Sequence, residues 1–187
     1  MCGNGGRCLL HFAFFLKIIK SSAFFLAADG THKARILNDF KILLHMNDID
    51  NIKNIQDYIY VNSGSPHHVI INPEIDIINV KKIGSKIRYS KMYNPQGVNV
   101  NFVQIQDSDE FKIRTYERGV ENETLSCGSG AVASAIAMHR IGKTNQSKVK
   151  INTLGGLLIV CFKFTNIYTQ ITLEGPVKFV YKGEISL

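Results

Sequence analysis

The sequence predicts an α+β fold of two pseudo-symmetric units, each a mixed or antiparallel β-sheet or barrel wrapped around a central helix, with the first unit incomplete. Three observations predict it. A short signature occurs twice, as Cys2-Gly3-Asn4-Gly5 and as Cys127-Gly128-Ser129-Gly130, and each copy opens an apolar segment. After each segment comes a glycine turn and a strand-like run, Asp29-Gly30 then residues 34–37 in the first copy and Gly155-Gly156 then 157–162 in the second, the mark of an internal duplication. Alternation dominates the remainder: residues 98–106 set Val98, Val100 and Phe102 against Asn99, Asn101 and Val103, and 111–116 continues in kind, so both read as adjacent antiparallel strands.

The second copy is the clearer one. Residues 131–141 are apolar on most sides and Gly142 supplies a C-cap, so a short buried helix begins near Cys127. Its first turn leaves backbone N–H groups unpaired and carries the positive end of the helix dipole, which favours anions and lowers the pKa of a cysteine placed there. Cys127 is therefore a candidate thiolate beside a carboxylate cradle, and Cys2 its counterpart.

The first copy predicts a helix from Gly3 to Lys20. Arg7 followed by residues 8–16 and 23–28 imitates a signal peptide, but His11, Lys17 and Lys20 interrupt the run before the roughly 20 residues that a membrane span requires. Residues 33–46 read as two strands around an Asn38-Asp39 turn, 48–54 as a polar linker and 58–61 as a strand, with Gly64-Ser65-Pro66 a turn before an extended 69–71. Pro73 and Glu74 open a helical segment striped by Ile75, Ile78 and Ile83, ending before Tyr89. Past the Cys127 helix, strands are expected at 148–152, 157–164, 168–173 and 177–181. The halves divide as 1–54 and 55–187, with a last strand at about 178–187 returning to the first half.

Composition narrows the function. With 187 residues, 45% hydrophobic and 20% charged, the chain is an ordinary globular protein. Its net charge of +7 comes from lysines scattered among Ile and Asn, with no nucleic-acid reader motif, so no nucleic-acid partner is expected. Four cysteines without a C-x-x-C suit a reduced cytoplasmic setting. Cys2, Cys8 and His11 fit no tetrahedral zinc spacing, so no metal site is expected, and Cys8 and Cys161 read as small buried residues within apolar runs.

Met1-Cys2-Gly3-Asn4-Gly5-Gly6-Arg7-Cys8, Gly64-Ser65-Pro66-His67, Asn99, Glu117-Arg118-Gly119 and Cys127-Gly128-Ser129-Gly130, in this order, resemble diaminopimelate epimerases over essentially the whole chain. Proline racemases are similar in having two cysteines, but their first motif typically carries His where this chain has Asn4. Phenazine-biosynthesis isomerases share the fold without the cysteine pair.

The resemblance implies a cytoplasmic isomerase, independent of pyridoxal phosphate or any other cofactor, that interconverts LL- and meso-diaminopimelate in lysine and peptidoglycan precursor synthesis. It leaves room for a homodimer and implies no membrane partner. Inverting a carbon alpha to a carboxylate without a metal calls for a thiolate on one face, a thiol on the other and stabilisation of the developing charge. Cys127 would be base and Cys2 acid in one direction, with roles exchanged in the other. Backbone N–H groups of Gly3, Asn4, Gly128 and Ser129 would hold the reacting carboxylate. Arg118 suits the distal carboxylate, Glu117 an ammonium group, and Asn99 a polar substrate contact. His67 and Glu117 would tune the cysteines, the plain alternative for His67 being a satisfied core histidine. Ser65 stands where the family pattern has Asn, which shortens the reach of that substrate contact.

Counting sets a further expectation. Residues 57–126 lead up to Cys127, whereas Met1 alone leads up to Cys2, so the chain reads as a product lacking its first part, including family asparagines that contact substrate. Each cysteine helix needs its own sheet, and the first is expected to leave an apolar patch uncovered. The competing readings are a non-catalytic remnant of the enzyme and a proline racemase-like isomerase.

Overall fold

The computed structural model describes residues 1–38 and 40–185. Three helices and twelve strands are present among them: α1 (Gly3–Phe15), β1 (Ser22–Ala27), β2 (Gly30–Asn38), β3 (Lys41–His45), β4 (Ile52–Ile55), β5 (Tyr58–Asn62), β6 (Pro66–Ile71), α2 (Val80–Arg88), β7 (Asn99–Asp107), β8 (Glu110–Glu117), β9 (Asn122–Thr124), α3 (Gly128–Arg140), β10 (Lys148–Thr153), β11 (Gly156–Phe164) and β12 (Tyr168–Pro176). The expected α+β class, with sheet wrapped around helices, holds. One hydrogen-bonded path runs β1-β2-β3-β12-β11-β10-β8-β7-β6-β5-β4, with β9 added on β8. Among the described residues, only β6–β7 and β8–β10 pair in parallel.

The duplication is explicit in the two cysteine helices. Each is 13 residues long, each is N-capped by its cysteine in extended geometry, and each ends in the same motif. In α3, Gly142 N–H donates to His139 O and Lys143 N–H to Met138 O; in α1, Lys17 N–H donates to Phe14 O and Ile18 N–H to Ala13 O. This double bond at a left-handed residue closes a helix by satisfying its last carbonyls. Gly142 takes that conformation at φ 72° without strain, whereas α1 places Lys17 there at φ 60°. That is why the first helix stops at Phe15, short of the expected Lys20: the stop carries no glycine signal.

Several other expectations shift. Residues 52–54, expected within a linker, form β4 together with Ile55 by pairing with β5. The helical segment expected from Pro73 begins at Val80, capped by the Asn79 side chain accepting from Lys82 N–H at 2.9 Å. Strands β1 and β9 were not foreseen, and residues 177–181 form no strand after β12. It is β12, at 168–176, that crosses to the first half by pairing with β3, while residues 186–187 lie outside the described residues. The expected Asn38-Asp39 turn falls partly on Asp39, which also lies outside them.

The core surrounds α3, whose residues from Gly128 to Met138 are all buried. Its faces meet β5, β6, β7, β8, β10, β11 and β12, while α1 rests mainly on β2 and β3. No helix among the described residues is long and apolar enough to cross a membrane.

Candidate active site

The two cysteine helices meet end to end. A methyl group added at Gly3 would stand 3.2 Å from Gly128 Cα, and one added at Gly128 would stand 3.0 Å from Gly3 Cα, with Leu173 Cδ2 of β12 2.9 Å from either. Only glycine at both positions lets the backbones approach so closely. The N–H groups of both first turns therefore open on one shared cleft of about 230 Å³. Cys2 and Cys127 line it together with Gly3, Asn4, Gly128 and Ser129. Ser65, Asn99, Glu117 and Arg118 form its far side. Two positive helix ends converging on one concavity make an anion cradle.

The two sulfurs sit in different environments. Cys2 is exposed, and its Sγ accepts from Gly5 N–H at 3.4 Å. Cys127 is buried, and its Sγ lies 3.5 Å from Ser129 Oγ. Burial first, then the Glu117 carboxylate, pushes the Cys127 thiol up to about 11, against the Ser129 hydroxyl and the Gly130 N–H, which favour the thiolate. The helix dipole alone predicts the opposite direction, so burial and the Glu117 charge outweigh it at Cys127.

Behind Ser129 runs a buried relay. The Thr115 hydroxyl donates to Asn101 Oδ1 at 3.0 Å, which turns the amide nitrogen toward His67 Nδ1 at 2.9 Å. That fixes His67 Nδ1 as acceptor, so Nε2–H faces Ser129 Oγ at 3.1 Å and leaves the serine hydroxyl free to donate to Cys127. Burial, then the charge of Arg118, pushes His67 down to about 3, so the ring is neutral at physiological pH.

At the distal end, β8 delivers Glu117, Arg118 opens the turn after it and β9 folds back beside β8, clamped by Arg114 to Glu123 at 2.6 and 2.7 Å. Glu117 Oε2 accepts from Thr124 at 2.9 Å. Arg118 Nη1 donates to Gln96 O at 3.1 Å and Nη2 to Ser65 Oγ at 3.5 Å. Asn99 donates to Ser65 Oγ at 2.8 Å and Pro66 O at 3.2 Å, and accepts from Arg118 N–H at 2.8 Å.

The diaminopimelate epimerase family model matches residues 59–180. A diaminopimelate epimerase of Flavobacterium psychrophilum is 49% identical over 186 residues, covering 99% of this chain and 73% of the relative. The chain belongs to the diaminopimelate epimerase family. The corresponding enzyme of Chlorobaculum tepidum is 37% identical over 194 residues, covering 100% of this chain and 75% of the relative. Among solved structures, a probable proline racemase from Agrobacterium radiobacter superposes with a TM-score of 0.74 at 15% identity, covering 100% of this chain and 68% of that one. A PhzF-family phenazine biosynthesis protein of Bacillus anthracis gives 0.73 at 10% identity, covering 95% and 74%. At such identities these two show the fold. The protein is thus an isomerase of the epimerase kind.

Of the residues expected at the epimerase's site, all but His67 line the cleft; His67 is fully buried and reaches it through Ser129. His67 is a satisfied core histidine whose Nε2 meets the cysteine motif at Ser129. Asn99 lines the cleft, yet its amide is spent on Ser65, Pro66 and the Arg118 backbone. Asn101 and Thr115 were missed, although Asn101 shares a strand face with Asn99, and a repeated buried asparagine there was the available signal. Cys8, expected to be buried, is exposed on α1, and Cys161 is half-buried.

Proposed function

We propose that this epimerase interconverts LL- and meso-diaminopimelate by a two-base reaction, with Cys2 and Cys127 as the acid–base pair. The single observation that carries the reading is the apposition of two cysteine-capped helix N-termini across one cleft, held by the Gly3–Gly128 approach. The α-carboxylate binds the N–H groups of Gly3, Asn4, Gly128 and Ser129, which face the charge that develops when the α-proton leaves. One thiolate removes the α-proton as the opposite thiol delivers its own to the other face; the thiol and thiolate have then exchanged places. In one direction Cys2 takes the proton and the Cys127 thiol, whose pKa burial raises, gives its own. In the reverse direction Cys127 takes the proton, helped by the His67–Ser129 relay. Arg118 binds the distal carboxylate and Glu117 the distal ammonium group, while Ser65 and Asn99 hold the Arg118 loop.

The same reading takes the enzyme as cytoplasmic, in keeping with its four free cysteines, and as working without a cofactor, with halves 1–54 and 55–187 and room for a homodimer. Incubating the reduced chain with LL-diaminopimelate and resolving the diastereomers by chiral chromatography tests it. Conversion to the meso form, abolished in Glu117→Gln and given a raised KM by Arg118→Lys, is expected. Racemisation of proline in its place would overturn the substrate assignment.

A further inference from the structure

The duplicated helices differ in charge at one buried position. Five residues after the cysteine, α3 carries Val132, fully buried among apolar groups, whereas α1 carries Arg7, only 3% exposed. A guanidinium costs far more to bury than a valine unless something compensates it. Arg7 makes no ion pair with a carboxylate among the described residues, and its Nε is without a hydrogen-bond partner there. Its bonds run instead to the turn that forms the cradle: Nη1 donates to Gly3 O at 3.2 Å and Nη2 to Asn4 Oδ1 at 3.4 Å. Gly175 of β12 makes room, since a methyl group there would lie 3.1 Å from Arg7 Cζ and Nε. Burial pushes the guanidinium pKa down, and the Cys8 and Cys2 sulfurs oppose that as thiolates.

We infer that Arg7 is a positioning residue for the reaction: its unpaired buried charge holds the Cys2 side of the cleft electropositive and orients the Asn4 amide. The relay behind Cys127 does this for the second thiol with neutral donors; Arg7 does it for the first with a fixed cation. The other groups facing Cys2 cannot replace it. Asp29 is paired with the Met1 ammonium at 3.0 Å, Glu117 and Cys127 add negative charge or none, and Arg118 is held toward Gln96 and Ser65. Cys8, which lies 3.9 Å from the Asn4 Oδ1 that Arg7 also touches, is a neutral thiol or an anion.

The inference rests on Cys2 being one of the two reacting thiols, so its test reads Cys2 without turnover. The rate of iodoacetamide alkylation at Cys2, followed by peptide mass spectrometry against pH, gives the midpoint of thiolate formation. Arg7→Gln keeps hydrogen-bonding capacity and loses the charge; its midpoint is expected to rise by about one pH unit or more. Arg7→Lys keeps the charge and loses the fork, so its midpoint is expected to stay with the parent's while kcat falls through the misplaced Asn4. An unmoved midpoint in folded Arg7→Gln overturns the inference, and so does a Lys variant whose midpoint rises as the Gln variant's is expected to. Should Cys2→Ser retain epimerisation, the two-thiol reading fails, while the alkylation result still decides the link between Arg7 and Cys2.

Discussion

Helices α1 and α3 share length, a cysteine at the N-cap and a closing motif, yet α3 is enclosed and α1 is not. Helix α3 is buried from Gly128 to Met138 inside a sheet that runs from β5 to β12. Helix α1 covers Leu10 and Gly6 against β2 and β3 but leaves Phe12 54% and Phe15 59% exposed. The cradle depends only on the first turn of each helix and on the contact between Gly3 and Gly128. Enclosure and site geometry are therefore separate properties: one helix is fixed by its surroundings, the other largely by its tip. Phe15 finds one partner in Phe179 of the C-terminal segment, ring centroids 5.8 Å apart, which covers only part of that face.

The largest expected contrast is in packing. Ile136→Ala on α3 removes a fully buried side chain and should cost about 2–5 kcal/mol in urea unfolding, while Phe12→Ala on the open face of α1 should cost less than about 1 kcal/mol. Equal costs would break the comparison. Where the helices touch, the contrast should vanish: Gly3→Ala and Gly128→Ala each meet the other's backbone and the same Leu173, so each should cost about 1–3 kcal/mol and most of the activity.

These contrasts mark how far the sequence is legible. The cysteine repeat names both helix starts and nearly the whole cleft, because caps and glycine approaches are local requirements that leave a residue signature. Strands β7, β8, β10 and β11 are visible through alternation. Strand β1 is hidden because Phe24, Phe25 and Leu26 form an unbroken apolar run with Phe24 and Leu26 facing solvent, so the period is masked. Strand β4 is hidden for the opposite reason, a polar Asn-rich edge that only its pairing with β5 makes a strand. The raised pKa of Cys127 was illegible, since burial and the nearness of Glu117 belong to the assembled sheet.

A third test concerns the relay on the α3 side. Folded His67 stays neutral down to about pH 3, while an unfolded histidine protonates near 6.5. Between those values the unfolded chain binds more protons, so stability falls as pH falls, by about 1.4 kcal/mol per pH unit. His67→Gln should lower stability at pH 8 and remove that slope, leaving the share from His68, which burial holds near 4. Urea midpoints at pH 8 and pH 5 read the difference; an unchanged slope would show that His67 is not the buried neutral ring described. The smallest effect lies on the open face. Phe12→Lys with Phe15→Lys should change stability by less than about 0.5 kcal/mol but reduce concentration-dependent association in sedimentation velocity.

The central claim is that two thiols work from opposite sides of one cleft. The direct measurement is deuterium incorporation at the α-carbon of diaminopimelate in deuterated water, read by mass spectrometry with the reduced chain and with Cys2→Ser and Cys127→Ser separately. The account predicts incorporation with inversion by the parent and loss of inversion in each single variant, by at least about 100-fold. Inversion that survives at the parent's rate in either variant would contradict it.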